Sequence, residues 1–215
     1  MIRRIAALLA VACALPAGAQ IGPRLPQQGR GGAPPYWVGV SYGYVSGVAI
    51  NDGASQSTWD FGYSSQLQAT IEKTVQSGIT LGASAGFATA PLTYTSASPG
   101  SACARCEAKA DMNQYMAFVR GGGGVGFHGL YSLEAGATEF SNFRANADGT
   151  KLPPTSAKYD FSFGFGGGLG FGFSATSEVY VAEQFDLILH SQGGGSTSNA
   201  APRVNTFRAG VRIGF

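Results

Sequence analysis

Along most of this chain, apolar residues alternate with small or polar ones at a period of two, in block after block. Val38, Val40, Tyr42 and Tyr44 alternate with Gly39, Ser41 and Gly43. Phe161, Phe163, Phe165, Leu169, Phe171 and Phe173 alternate with Asp160, Ser162, Gly164, Gly166, Gly168 and Gly170. Blocks starting at Trp59, Ile79, Phe127 and Phe207 repeat the pattern. A period of two marks strands with two unlike faces. Two further blocks, near Asp111–Arg120 and Glu178–His190, are less regular. In the first, Gln114, Met116 and Phe118 compete with Tyr115, Ala117 and Val119 for the outer face. In the second, Glu183 falls in phase with Val181, Phe185 and Leu187, so a bulge near Ala182–Gln184 is expected to turn it inward. A helix through the uncharged stretch Phe161–Ser177 is disfavoured by its six glycines, at about 1 kcal/mol each.

The polar face decides what these strands build. Charged residues are 12% of the chain, about half of the ~25% usual in soluble domains. One strand face is aromatic-rich; the other is mostly Gly, Ser and Thr with an occasional Asp, Glu or Arg. A sandwich in water would need the polar face to keep it dissolved, and this face is too bare. It suits the crowded lumen of a narrow barrel whose aromatic face meets lipid. In hydrocarbon every backbone amide must be paired, so the strands must close on themselves. Connections alternate short (Lys73–Gly78, Gly121–Gly124, Ser174–Ser177) and long (Val45–Gln56, Ala90–Ala110, Phe140–Ala157, Ser191–Pro202), as in barrels with tight turns at one end. The expected fold is all-β: an eight-stranded antiparallel transmembrane barrel over 36–215.

Ahead of it, Arg3 and Arg4, the apolar stretch Ile5–Leu15 and Ala17-Gly18-Ala19 form a cleavable secretory signal over 1–19. Residues 20–35 hold four Pro and four Gly and read as a flexible lead. Cleavage removes two of the 14 basic groups and none of the 12 acids, leaving a neutral chain with only Cys103 and Cys106. With no basic cluster, nucleic acid is not an expected partner.

The ending Phe207-Arg-Ala-Gly-Val-Arg-Ile-Gly-Phe215 resembles the last strand of Gram-negative outer-membrane proteins. In architecture the chain is similar to the OmpA/OmpX/OmpW-like eight-stranded barrels over about Tyr36–Phe215. The resemblance implies the outer membrane as location, and Phe215 as the signal read by the barrel-assembly machinery, after escort by periplasmic chaperones. It also implies contact with outer-membrane lipids and lipopolysaccharide, and a monomer is expected.

Inside the barrel, Asp60, Glu134, Asp160 and Glu183 are expected to form a charge network with Arg208 and Arg212, joined by Arg120. Its bland reading is a salt-bridged plug; the sharper one is a selectivity ring in a narrow porin-like channel, for which the inward glycines near Gly166 would leave volume. A lipid A-modifying enzyme is the other alternative. His190 and Ser191 are adjacent and face opposite ways, and His128 and Ser132 stand four apart with Glu134 on the same face, so no ready triad emerges. Cys103-Ala-Arg-Cys106 cannot fill a four-ligand zinc site and reads as a loop disulfide. No catalytic residue, metal or cofactor is therefore expected, and the role is structural or surface interaction.

Overall fold

The computed structural model describes residues 33–98, 101, 103–190 and 201–215. The expected signal peptide (1–19) lies outside the described residues, as do residues 20–32 of the lead and the loop residues 191–200. Eleven strand segments make eight barrel strands. Three strands come in two pieces each: β1 (Tyr36–Val45) with β2 (Val48–Asp52), β3 (Ser57–Phe61) with β4 (Ser64–Gln76), and β5 (Ile79–Phe87) with β6 (Thr89–Ser96). The others are β7 (Arg105–Gly121), β8 (Gly126–Ala145), β9 (Lys158–Ser174), β10 (Ser177–Leu189) and β11 (Arg203–Gly214).

All pairings are antiparallel, and they close a ring in the order β7-β5-β4-β1-β11-β10-β9-β8, with β8 returning to β7. β1 joins the two ends of the chain, lying in register between β4 (Val40↔Ala69) and β11 (Val40↔Val211). This is a closed eight-stranded antiparallel barrel. Closure gives each strand of this ring a paired neighbour on both sides, which is what a lipid-exposed sheet requires. At the loop end β2, β3 and β6 continue the wall, with β6 paired to β7. Strand therefore replaces part of three connections read as loops: β2 lies within 45–56, β6 and the start of β7 within 90–110, and β8 runs on to Ala145.

The outer face is apolar around the ring. Val38, Val40, Tyr42, Leu67, Ile71, Leu81, Tyr131, Leu133, Leu169, Val181, Phe207 and Val211 are all exposed, as are Phe161, Phe163, Phe165 and Phe173 of β9. The two ends of the interior differ. Towards the short turns it is polar and charged. Towards the loops it is a packed apolar plug, built by Trp59, Tyr94, Phe140, Phe143, Leu92 and Met112 among others. Trp59 packs on Phe143 and Phe140 with ring centroids 4.6 and 5.9 Å apart.

Two expectations fail here, each for a reason of phase. Trp59 and Phe61 are buried and Asp60 is exposed, the reverse of the expected lumen position for Asp60. The chain breaks between β3 and β4 at Gly62–Tyr63, and inward residues are odd-numbered before the break and even-numbered after it. A one-residue slip exchanges the faces of everything beyond it. Second, β10 pairs without a bulge from Glu178 to Leu187, with Glu183 opposite Phe207 on one side and Gly167 on the other. Glu183 stays in phase with Val181 and Phe185 and points outward.

Candidate functional site

Among the described residues, polar side chains converge in the barrel interior, and they are layered there. At the turn end the inward phases of β4, β7, β10 and β11 bring Glu72, Arg120, Glu178 and Arg212 together. Arg212 grips Glu178 through two bonds, Nε to Oε1 at 3.0 Å and Nη2 to Oε2 at 2.9 Å, and donates from Nη1 to Glu72 at 3.1 Å. Arg120 Nη1 donates to the other oxygen of Glu72 at 2.5 Å, and the Thr80 hydroxyl donates to Glu72 at 2.6 Å. His128 Nε2 lies 3.0 Å from Glu178. The guanidinium of Arg212 also covers the ring of Trp37 at 4.7 Å. Two carboxylates thus meet two arginines in a space that excludes solvent. In such surroundings a mutually bonded set is tolerated, and a single survivor is not.

The middle layer is richer in amides. Gln184 Nε2 donates to both oxygens of Asp186 (3.0 and 3.1 Å), Gln114 donates to Asp186 (3.2 Å), and Gln66 donates to Gln114 (2.9 Å). Arg208 Nη1 donates to Gln68 Oε1. Among the described residues, Glu134 Oε1 and Arg208 Nε and Nη2 have no side-chain or backbone partner. These groups border a cavity of about 30 Å³ that Gln68, Glu134, Gln184 and Arg208 help to line. Its polarity and size suit a water molecule or two.

Gly166 borders that small cavity, but the inward glycines Gly164 and Gly168 of β9 add no space, contrary to the expectation that they leave volume for a channel. A Cβ on Gly164 would collide with Asp186 and the Phe185 carbonyl, and one on Gly168 with the Val181 carbonyl. They mark close approach of β9 to β10.

At the loop end, His190 sits against Trp59 with ring centroids 5.6 Å apart. Its Nδ1 lies 2.6 Å from Asp160 and its Nε2 3.6 Å from Asp52. Asp52 accepts from the amides of Ala54 and Ser55 and from the Ser55 hydroxyl. Outside the barrel wall, in the turn after β8, the Thr150 hydroxyl and amide hold the Asp148 carboxyl below the usual aspartate range.

The residues named from sequence therefore divide. Glu134, Asp160, Arg208 and Arg212 are buried inside, but in three different layers: Arg212 at the turn end, Arg208 and Glu134 in the middle, Asp160 beside His190 at the loop end. Asp60 and Glu183 belong to none of them. Glu72, Glu178, Asp186, Asp52 and both histidines complete the layers and went unnamed as network members. Glu72 follows Gln66, Gln68 and Thr70 in phase, and Glu178 and Asp186 share one face of an unbulged β10, so alternation alone points to them. Cys103 and Cys106 are disulfide-bonded and pack against the plug. Phe215 lies exposed beside the ring of Tyr36, with centroids 6.2 Å apart. Among the described residues, no group of three or more His, Cys, Asp or Glu is arranged to hold a metal ion.

No protein-family model matches the chain, and no curated protein is similar to it in sequence. Solved structures are similar to it in fold. Neisserial surface protein A aligns with a TM-score of 0.51 at 11% identity, over 86% of this chain and 100% of that one. The N-terminal β-barrel domain of Pseudomonas aeruginosa OprF aligns with a TM-score of 0.48 at 12% identity, over 85% and 98%. Outer membrane protein OprG of the same organism gives 0.48 at 14%, over 85% and 96%. At 11% identity, the likeness to the Neisserial protein is one of fold: a closed eight-stranded antiparallel barrel.

Proposed function

We propose that this chain, which has the fold of the small outer-membrane barrels, is a sealed barrel of the outer membrane that acts as a scaffold for surface contacts and performs no catalysis. The observation that carries this reading is the filled interior. An apolar plug at the loop end and a bonded charge layer at the turn end stand in series, and the cavity between them is only about 30 Å³. Eight strands enclose little more than their own side chains, and here those side chains are interlocked. The apolar outer face and the closed backbone ladder supply what a bilayer demands of a spanning sheet. Both imidazoles are engaged by carboxylates, Glu178 for His128 and Asp160 for His190, and among the described residues no hydroxyl or thiol is hydrogen-bonded to either ring, so neither has a nucleophile to activate.

The scaffold's working surface is its loop end. There the strands continue beyond the apolar band, turning polar residues such as Thr95, Arg105, Glu107 and Lys109 outward. Lipopolysaccharide and outer-membrane lipids are its surroundings in this reading. Phe215 is its signal to the assembly machinery, reached after export on the cleaved leader.

Planar-bilayer recording of the purified, refolded protein tests the reading. No discrete conductance steps are expected; reproducible steps would overturn the sealed barrel in favour of a channel. Mass spectrometry of lipid A from cells with and without the protein is expected to show identical species.

A further inference from the structure

Glu183 stands on the outer face of β10 among mostly apolar neighbours: Val181 and Phe185 along its strand, Phe207 across on β11, and Phe165 and Leu169 flanking its other cross-strand partner, Gly167, with Asn205, diagonal to it on β11, the polar exception. It is the third of six outward positions from Val179 to Leu189, so it lies within the apolar band. Among the described residues nothing bonds to its carboxyl. A polar group facing hydrocarbon acts as a functional site unless something satisfies it, and one without a partner is costly.

The glycines beside it sharpen the point. Gly167 and Gly129 both face outward, as diagonal neighbours on β9 and β8. A Cβ on Gly129 would meet nothing within 4 Å, and one on Gly167 only the Leu130 carbonyl at 4.0 Å. Neither has the positive φ that demands glycine. Other glycines of β9, such as Gly164, Gly168 and Gly170, are crowded from within. Gly167 and Gly129 have no such reason inside the barrel. They form a notch in the outer surface next to the unpaired carboxyl, and the Tyr131 ring leans away from it over Gly121.

We propose that the β8–β9–β10 face is a self-association surface, on which Glu183 of one copy meets Glu183 of a second copy of this chain across a two-fold axis along the membrane normal. The occupant follows from depth and chemistry. All copies enter a membrane in one orientation, so a second copy brings its own Glu183 to the same level, where few other partners offer a donor. An isolated carboxylate is disfavoured in hydrocarbon, whereas a carboxylic acid is donor and acceptor at once, so two such acids satisfy each other. A two-fold contact uses the same patch twice, which requires such self-complementarity. The Gly167–Gly129 notch lets the two walls approach closely, as small residues do between membrane segments. This departs from the expected monomer. It rests on the membrane-spanning reading, but not on whether the lumen conducts.

The test uses the full barrel in phospholipid vesicles at graded protein-to-lipid ratios, with single cysteines added for oxidative cross-linking. Val181→Cys, beside Glu183, is expected to give a covalent dimer, and Leu81→Cys, on the far wall, is not. Adding Glu183→Leu to Val181→Cys should lower the dimer yield by at least about fivefold, as for loss of one polar contact in a membrane. Glu183→Gln, which keeps both donor and acceptor, should retain the yield, and Gly167→Leu should lower it. Unboiled samples of every variant are expected to run as a heat-modifiable band, showing that lost dimer is not lost fold. Equal yields from Val181→Cys and Leu81→Cys, or a yield indifferent to Glu183→Leu, would overturn the proposal. If no variant, nor the parent, shows the heat-modifiable band, the membrane reading itself fails.

Discussion

Arg212 carries the turn-end layer because three of its donors reach two carboxylates, Glu178 and Glu72. Truncating it to methionine keeps most of the volume but leaves Glu178 without a guanidinium, while Glu72 keeps Arg120. Breaking one partner out of a buried ionic set costs about 3–5 kcal/mol. Arg212→Met should therefore lower the urea midpoint of the barrel in vesicles, read by tryptophan fluorescence. Arg212→Met with Glu178→Met should recover at least about half of the loss, because the buried carboxylate left with only His128 for a partner is gone. A double variant no more stable than the single would mean that Arg212 acts through its packing on Trp37. At this scale the sequence was legible where the alternation ran without interruption. Glu134 and Asp160 could be placed inside from their neighbours alone. Which carboxylate meets which arginine depends on register across strands, and register is set by pairing that no single strand encodes. Arg212 was expected near Glu183 and stands opposite Glu178.

Whole strands show why some faces were misread. Trp59, Phe61 and Tyr63 keep one phase in the sequence, yet the first two are inside and the third is outside. The slip at Gly62–Tyr63 adds no polar residue and no proline, so alternation continues across it without a mark. The apolar plug went unforeseen because Trp59 and Phe61 read as lipid-facing, while Tyr94, Phe140 and Phe143 fell in stretches read as connections. Composition cannot tell an aromatic that meets lipid from one that meets another aromatic. β10 erred in the other direction, since a bulge was inferred to rescue Glu183 from lipid where the strand is regular. The placement of β3 makes a paired prediction. Asp60→Ala, at an exposed site, should change stability by less than about 0.5 kcal/mol, whereas Trp59→Ala should cost about 3–5 kcal/mol by opening a cavity in the plug. Urea midpoints of the two variants check it. The opposite ranking would restore Asp60 to the lumen.

For the molecule as a whole, closure and sealing are separate properties with separate causes. The backbone ring β7-β5-β4-β1-β11-β10-β9-β8 closes the barrel, and no side chain of the plug takes part in that ladder. Closure is what makes such a barrel resist SDS until it is boiled, because a ladder with no free edge offers detergent no place to begin. Sealing comes from side chains in two layers, and for a path through the barrel those layers lie in series, so either one suffices. Phe140→Ala with Phe143→Ala hollows the plug around Trp59 and leaves Arg212, Glu72 and Glu178 untouched. This double variant should keep its heat-modifiable migration on a gel, with a lower temperature for the shift, and should still show no conductance steps in a planar bilayer. Steps in this variant but not in the parent would place the whole seal in the plug, and the charge layer would then be a hydrated passage held in reserve behind it. Loss of the gel shift would mean instead that the plug holds the ring closed, which the pairing of β1 with both β4 and β11 argues against.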